Sequence, residues 1–221
     1  AADVGVKRFI YISSIKVNGE STSGSVPFTE KDTAKPLDPY GVSKYEAEEG
    51  LKKIAAETGM AVVIIRPPLV YGAGVKANFL NLLKLSNTGL PLPFGLVNNK
   101  RSMVYVENLV DFIVKCIDHP AAANQTFLIS DNDDLSLSNL IKLIRKSLNK
   151  SARLIPVPVF LFKFAGLIFR KQDVVDRLVG DLQVDSSKAM SLLDWKPPYT
   201  VEQGIQATVD SFLENNKQDK K

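Results

Sequence analysis

Tyr40 and Lys44 stand four residues apart in D-P-Y-G-V-S-K-Y-E-A-E-E-G-L-K-K-I-A-A-E-T-G, residues 38–59. Four residues is about one helical turn, so on a helix the phenol and the ammonium share a face. A tyrosine phenol ionises near pH 10, which leaves about one in a thousand as phenolate at neutrality. A lysine charge about 5 Å away, at an effective dielectric of about 20, favours the phenolate by about 3 kcal/mol. Such a pair can take a proton from a hydroxyl and return it. The spacing also arises on ordinary helix surfaces, so the surrounding elements decide its meaning.

Those elements are well marked. Asp38 can cap the first amides, Pro39 suits the first helical position, and Gly59 can take the left-handed turn that ends the helix. Ala47, Leu51, Ile54 and Ala55 continue the Tyr40–Lys44 face as an apolar stripe suited to a sheet. Upstream, K-R-F-I-Y-I-S-S at 7–14 reads as a buried parallel strand ending on Ser13 and Ser14. Ligands of open α/β sheets bind outside the carboxyl ends of strands, where a serine hydroxyl can hold a substrate oxygen near the tyrosine. A plain strand-end turn is the alternative for both serines. A second run, A-V-V-I-I-R-P at 61–67, repeats the pattern and stops at Pro67–Pro68.

Composition sets the outer bounds. The 221 residues are 45% hydrophobic and 24% charged, ordinary for a globular chain. The net charge of +4 comes from scattered rather than clustered Lys and Arg, so nucleic acid is not expected as a partner. Cys116 is the only cysteine, which excludes a disulfide within the chain and points to a reducing, cytoplasmic setting. The apolar stretch 157–169 is too short to span a bilayer and carries Lys163. A buried helix over the substrate pocket is its expected fate, with interfacial membrane contact as the lesser alternative. His119, the sole histidine, follows a helical run and reads as a cap on the helix carbonyls. The tail 215–221 is polar and expected to fray. No pattern predicts a metal site.

S-S-I-K-V-N-G-E at 13–20, P-Y-G-V-S-K at 39–44 and I-R-P-P-L-V-Y-G at 65–72 closely resemble the extended short-chain dehydrogenase/reductases, in the branch of nucleotide-sugar epimerases and dehydratases. The resemblance runs over essentially the whole chain. It implies an α/β fold, a doubly wound parallel sheet of Rossmann type with a smaller α/β substrate lobe. No G-x-x-G-x-x-G follows an early strand, so the chain reads as the second half of that fold: 1–74 in the dinucleotide-binding domain, 75–221 mainly substrate lobe, with 103–130 returning to the sheet. The expectation is a piece of a longer enzyme, inactive by itself; a binding module that lost its cofactor loop is the other reading.

By the same resemblance Ser14, Tyr40 and Lys44 form the catalytic triad, with NAD (or NADP) as cofactor and Lys44 also holding the nicotinamide ribose. Ser13, Pro67, Pro68 and Val70 are the further cofactor contacts. Asn78, Leu92, Phe94 and Arg101 are implied to hold a nucleoside diphosphate sugar, UDP-sugar favoured. The arginine that the family places two residues before a Gly-Asp pair falls here on Leu178, with Arg177 adjacent. The 40–58 helix is a candidate homodimer surface. The implied reaction is C4 epimerisation through a keto-sugar, with 4-keto-sugar reduction as the close alternative and a non-catalytic nucleotide-sugar binding module as the distant one. In the dTDP-glucose 4,6-dehydratases an Asp and a Glu follow the triad's hydroxyl residue; here Ile15 and Lys16 stand there, so elimination of water is not expected.

Overall fold

The computed structural model describes residues 1–22 and 26–218. In chain order the elements are β1 (Arg8–Ile12), α1 (Pro39–Thr58), β2 (Ala61–Arg66), β3 (Leu69–Tyr71), α2 (Ala77–Asn87), β4 (Met103–Tyr105), α3 (Val106–Asp118), β5 (Thr126–Leu128), α4 (Leu137–Ser147), α5 (Val159–Ile168), α6 (Gln172–Val179), α7 (Ser187–Leu193) and α8 (Val201–Gln218).

β1, β2 and β5 form a parallel sheet in that spatial order, with Ile10 opposite Val63 and Ile65 opposite Phe127. β2 lies in the middle, and its β-branched run is buried at five of six positions; β1, paired on one side among the described residues, is half-buried throughout. On one face Val63, Ile65 and Phe127 pack against Phe112 and Cys116 of α3 and Trp195. Each such side chain taken fully from water is worth roughly 1.5–3 kcal/mol before entropy is subtracted. Burial also pushes the Cys116 thiol up to about 12, so it behaves as a small hydrophobe. On the other face Val62 and Ile64 receive Leu51 and Ala55 of α1.

The ends of α1 are as its residues dictate. Asp38 accepts from the Gly41 amide at 2.7 Å, Pro39 opens the helix, and Gly59 closes it at φ 73°. Ile54 is exposed instead of buried, because the buried face is centred nearer Leu51, Ala55 and Glu48.

A second core gathers on β3 and β4, which pair with each other in a separate parallel two-stranded sheet. Tyr71, Phe79, Leu83, Tyr105, Ile144 and Val209 fill it. Within 103–130, β5 joins the three-stranded sheet while β4 does not.

Three local expectations are corrected. The 157–169 segment is not buried: Phe160, Phe164, Leu167 and Phe169 are 61–71% exposed. His119 is the C-cap of α3, but through its backbone amide, which donates to Lys115 O at 3.3 Å, while its ring Nδ1 is buried without a hydrogen-bond partner among the described residues. α8 continues to Gln218 instead of fraying at 215, and residues 219–221 lie outside the described residues.

Candidate active site

β1 runs out at Ile12, and the next residues are tied across to the end of β2. The Ser13 amide donates to Ile65 O at 2.7 Å and the Ile15 amide to Pro67 O at 3.0 Å. Ser14 therefore stands at the carboxyl end of the sheet. Its backbone is extended, and its Oγ accepts from the Lys16 amide at 3.3 Å as cap of a short 3-10 turn, Ile15–Val17.

α1 comes back over this strand end at its first turn. Gly41 allows the approach, since a Cβ there would meet Lys16 O at 3.0 Å and Asp38 Oδ1 at 3.2 Å. Lys44 Nζ donates to Ile12 O at 2.9 Å, which fixes the ammonium against the last residue of β1. From there it lies 5.7 Å from the Tyr40 ring centroid and 4.8 Å from that of Tyr11. Tyr40 itself is 52% exposed, so it is open to solvent beside a fixed cation.

Beneath this pair lies a buried polar network that sequence reasoning missed. Glu48, fully buried one turn beyond Lys44, accepts from Arg66 Nε at 2.9 Å and Nη2 at 2.5 Å, and from Ser13 Oγ at 2.5 Å. Arg66 Nη1 completes it by donating to Asn18 Oδ1 at 2.9 Å. A fork-to-carboxylate pair of this kind carries both charge and direction. The signals were present: a glutamate on the inward face of α1, and an arginine closing an apolar strand.

Ser13 is thus brought to the site with its hydroxyl committed to Glu48. Pro67 and Pro68 are buried beside it, the Pro67 carbonyl taken by Ile15, while Val70 pairs with Val104 in β3 and packs on the core. Lys16 is paired with Asp38 and, at 2.9 Å, with Glu20. Burial works against its charge, but the hydrogen bonds to Asp38 and Glu20 outweigh it and raise its pKa. Ile15 is 4% exposed, packed with Leu128, Leu182 and Val184. Neither residue is placed to remove a proton.

The substrate candidates fall in three places. Leu92 is in the core, its amide donating to Arg153 O at 3.1 Å and its carbonyl accepting from Ile155 at 2.8 Å, and Phe94 stacks on Phe162 at 5.5 Å. Asn78 is exposed in the first turn of α2. Arg101 and Arg177 do come together: Arg101 Nη1 donates to Arg177 O at 2.9 Å and Gly180 O at 3.2 Å. Burial lowers the Arg101 pKa, and it donates there to carbonyls rather than to a carboxylate.

A strand-end serine with a helical Tyr–Lys pair on a parallel α/β sheet defines the dinucleotide-fold oxidoreductases of short-chain type. The chain belongs to the NAD dependent epimerase/dehydratase family, whose model matches residues 1–130. A UDP-glucose 4-epimerase of Vibrio cholerae is 52% identical over 217 residues, 98% of this chain and 66% of that protein. An N-acetyl-alpha-D-glucosaminyl-diphospho-ditrans,octacis-undecaprenol 4-epimerase of Escherichia coli O157:H7 is 30% identical, over 97% of this chain and 68% of that protein. The fold matches a UDP-glucuronic acid 4-epimerase of Bacillus cereus in complex with NAD at TM-score 0.76 and 21% identity, covering 97% of this chain and 64% of that one. The chain thus spans about two thirds of the length of the relatives it matches. Among the described residues no helix is long and apolar enough to cross a membrane.

Proposed function

We propose that this chain carries the proton-transfer half of an NAD-dependent C4 epimerase acting on a nucleoside diphosphate sugar, with UDP-sugars favoured by the Vibrio cholerae relative's name. The observation that carries the reading is the placement of Lys44 Nζ, fixed on Ile12 O and 5.7 Å from the ring of an open-faced Tyr40.

The residues present fit a dinucleotide's sugar. Lys44 uses one of its three donors on Ile12 O, and the others suit a ribose hydroxyl pair. A nicotinamide held there would supply hydride-transfer chemistry at the sugar C4. Tyr40 takes the C4 hydroxyl proton, and Ser14 Oγ holds that oxygen in line. The ketone turns so that its other face is open to reduction, and Tyr40 returns the proton to the C4 oxygen. Arg101 and Arg177 hold the diphosphate, with Asn78 as a further donor, and the 92–94 segment contacts the base. Residues 1–74 form the cofactor side and 75–221 mainly the sugar side. The outward face of α1, where Val42 and Ile54 are exposed, is the homodimer contact, and the protein works in the cytoplasm.

The test is to incubate the native protein with NAD and UDP-, dTDP- or GDP-hexoses and follow the sugars by NMR. The C4 epimer is expected. A 4-keto-6-deoxy product would overturn the reading, as would reduction of a 4-keto-sugar without epimerisation or sugar binding without turnover.

A further inference from the structure

The stretch between Asp134 and Asp173 contains no acidic residue and eight lysines and arginines, and it includes the most apolar helix of the chain. α5 is held to the protein by a narrow face. Phe162 stacks on Phe94, Val159 joins the same core cluster, and Gly166 lets Val175 of α6 approach, a Cβ there falling 2.9 Å from Val175 Cγ2. At 3.6 residues per turn those three positions cover an arc of roughly 60°. Phe160, Leu161, Phe164, Leu167 and Ile168 occupy an opposite arc of roughly 120°, and each is at least 44% exposed. Phe169 extends the patch at 71%, and Val174 and Leu178 of α6 add to it. A water-facing surface this rich in large apolar groups marks an interaction site.

Its charge says what covers it. Lys163 borders the exposed arc of α5, and Arg170 and Lys171 form the turn into α6, all three exposed. The two acids of the hairpin, Asp173 and Asp176, lie on α6 off the Val174–Leu178 line, which puts the cationic rim at the α5 side of the patch. An anionic bilayer surface meets both features at once, taking the phenylalanines and leucines into the headgroup boundary while the cations remain among phosphates. We propose that the α5–α6 hairpin is a membrane-surface anchor that docks the protein on anionic lipid without spanning it.

Vesicle sedimentation tests this with the native protein. On vesicles of equal parts phosphatidylcholine and phosphatidylglycerol, partition should exceed that on phosphatidylcholine alone by about tenfold or more and should fall with salt. Phe164→Glu with Leu167→Glu should lower it by about tenfold or more. Val114→Glu, at an exposed apolar position on α3, should leave it unchanged. Should the double variant fold poorly, Lys163→Gln with Arg170→Gln and Lys171→Gln keeps the apolar face and should cut the preference for anionic vesicles by about tenfold. Equal, weak partition on both vesicles overturns the proposal. So does binding that survives these variants, or a concentration-dependent dimer that Phe164→Glu with Leu167→Glu dissolves.

Discussion

Glu48 on α1 and Arg66 at the end of β2 face each other as a buried bidentate pair at 2.9 and 2.5 Å, with side chains 0% and 5% exposed. Glu48 lies two turns beyond Tyr40 and one beyond Lys44, near the same face, so the pair pins that face to the sheet. Ser13 and Asn18 are drawn into the same network from the strand-end turn.

Removing one partner leaves the other charge buried and unpaired. Glu48→Ala should therefore cost about 3–5 kcal/mol in urea unfolding. Glu48→Leu with Arg66→Met, which removes both charges and keeps volume, should cost less than the single change. A double variant as unstable as the single one would mean that the pair is needed for packing rather than for charge balance.

Asp38 ties the start of α1 to the strand-end turn, capping Gly41 and pairing with Lys16. Its pKa is lowered, chiefly by the Lys16 hydrogen bond and then by the Gly41 amide. That contribution is present above the unfolded carboxyl value near 4 and is lost as pH falls through the lower folded value. Lys16, raised in the fold, contributes below the unfolded value near 10.4 and loses this as pH rises through its raised one. A double-mutant cycle with Lys16→Met and Asp38→Asn should show a coupling of about 0.5–1 kcal/mol, flat between about pH 5 and pH 9. The coupling should vanish in strong acid; one that persisted there would refute the electrostatic account.

Two helical glycines should respond oppositely to alanine. At Gly204 on α8 a Cβ would fall 2.7 Å from Tyr71 Oη and 2.9 Å from the Tyr105 ring. Tyr71 in turn donates to the buried Asp131 at 2.7 Å, so little can move. The overpacking, about 1–3 kcal/mol, should exceed the helix propensity gained, about 1 kcal/mol. Gly50 on α1 has open space around its Cβ position, and Gly50→Ala should stabilise by about 0.5–1 kcal/mol. Thermal melts of the two variants should shift in opposite directions.

What could be read from the chain was local. The caps of α1, the two parallel strands and the Tyr40–Lys44 spacing are encoded within a turn or a strand, and the structure places them as their residues dictate. The two halves of the Glu48–Arg66 pair carried signals, but nothing local joined them, because they are 18 residues apart on different elements and a glutamate among E-A-E-E also reads as solvated surface. α5 misled for the opposite reason. Apolar composition argues for burial, but Val159, Phe162 and Gly166 turn to the fold while Phe160, Phe164 and Leu167 stay exposed, and nothing local in F-L-F-K-F-A-G-L-I-F says which face stays outside.

The Tyr40–Lys44 assignment makes the sharpest functional claim. Tyr40→Phe removes the group that moves the proton while keeping the ring beside Lys44, so sugar binding should change little and turnover should fall by about 10²-fold or more. Lys44→Met removes both the charge near the ring and the bond to Ile12 O, and so should weaken cofactor binding as well as rate. The two variants are thus separable: the first lowers kcat with KM for the sugar nearly constant, the second lowers kcat and raises KM for NAD. Steady-state kinetics on the native protein, with calorimetry for sugar binding, would distinguish them. Tyr40→Phe retaining more than about a tenth of the rate is incompatible with a proton-transfer role, since an acid–base group is worth 10²-fold or more.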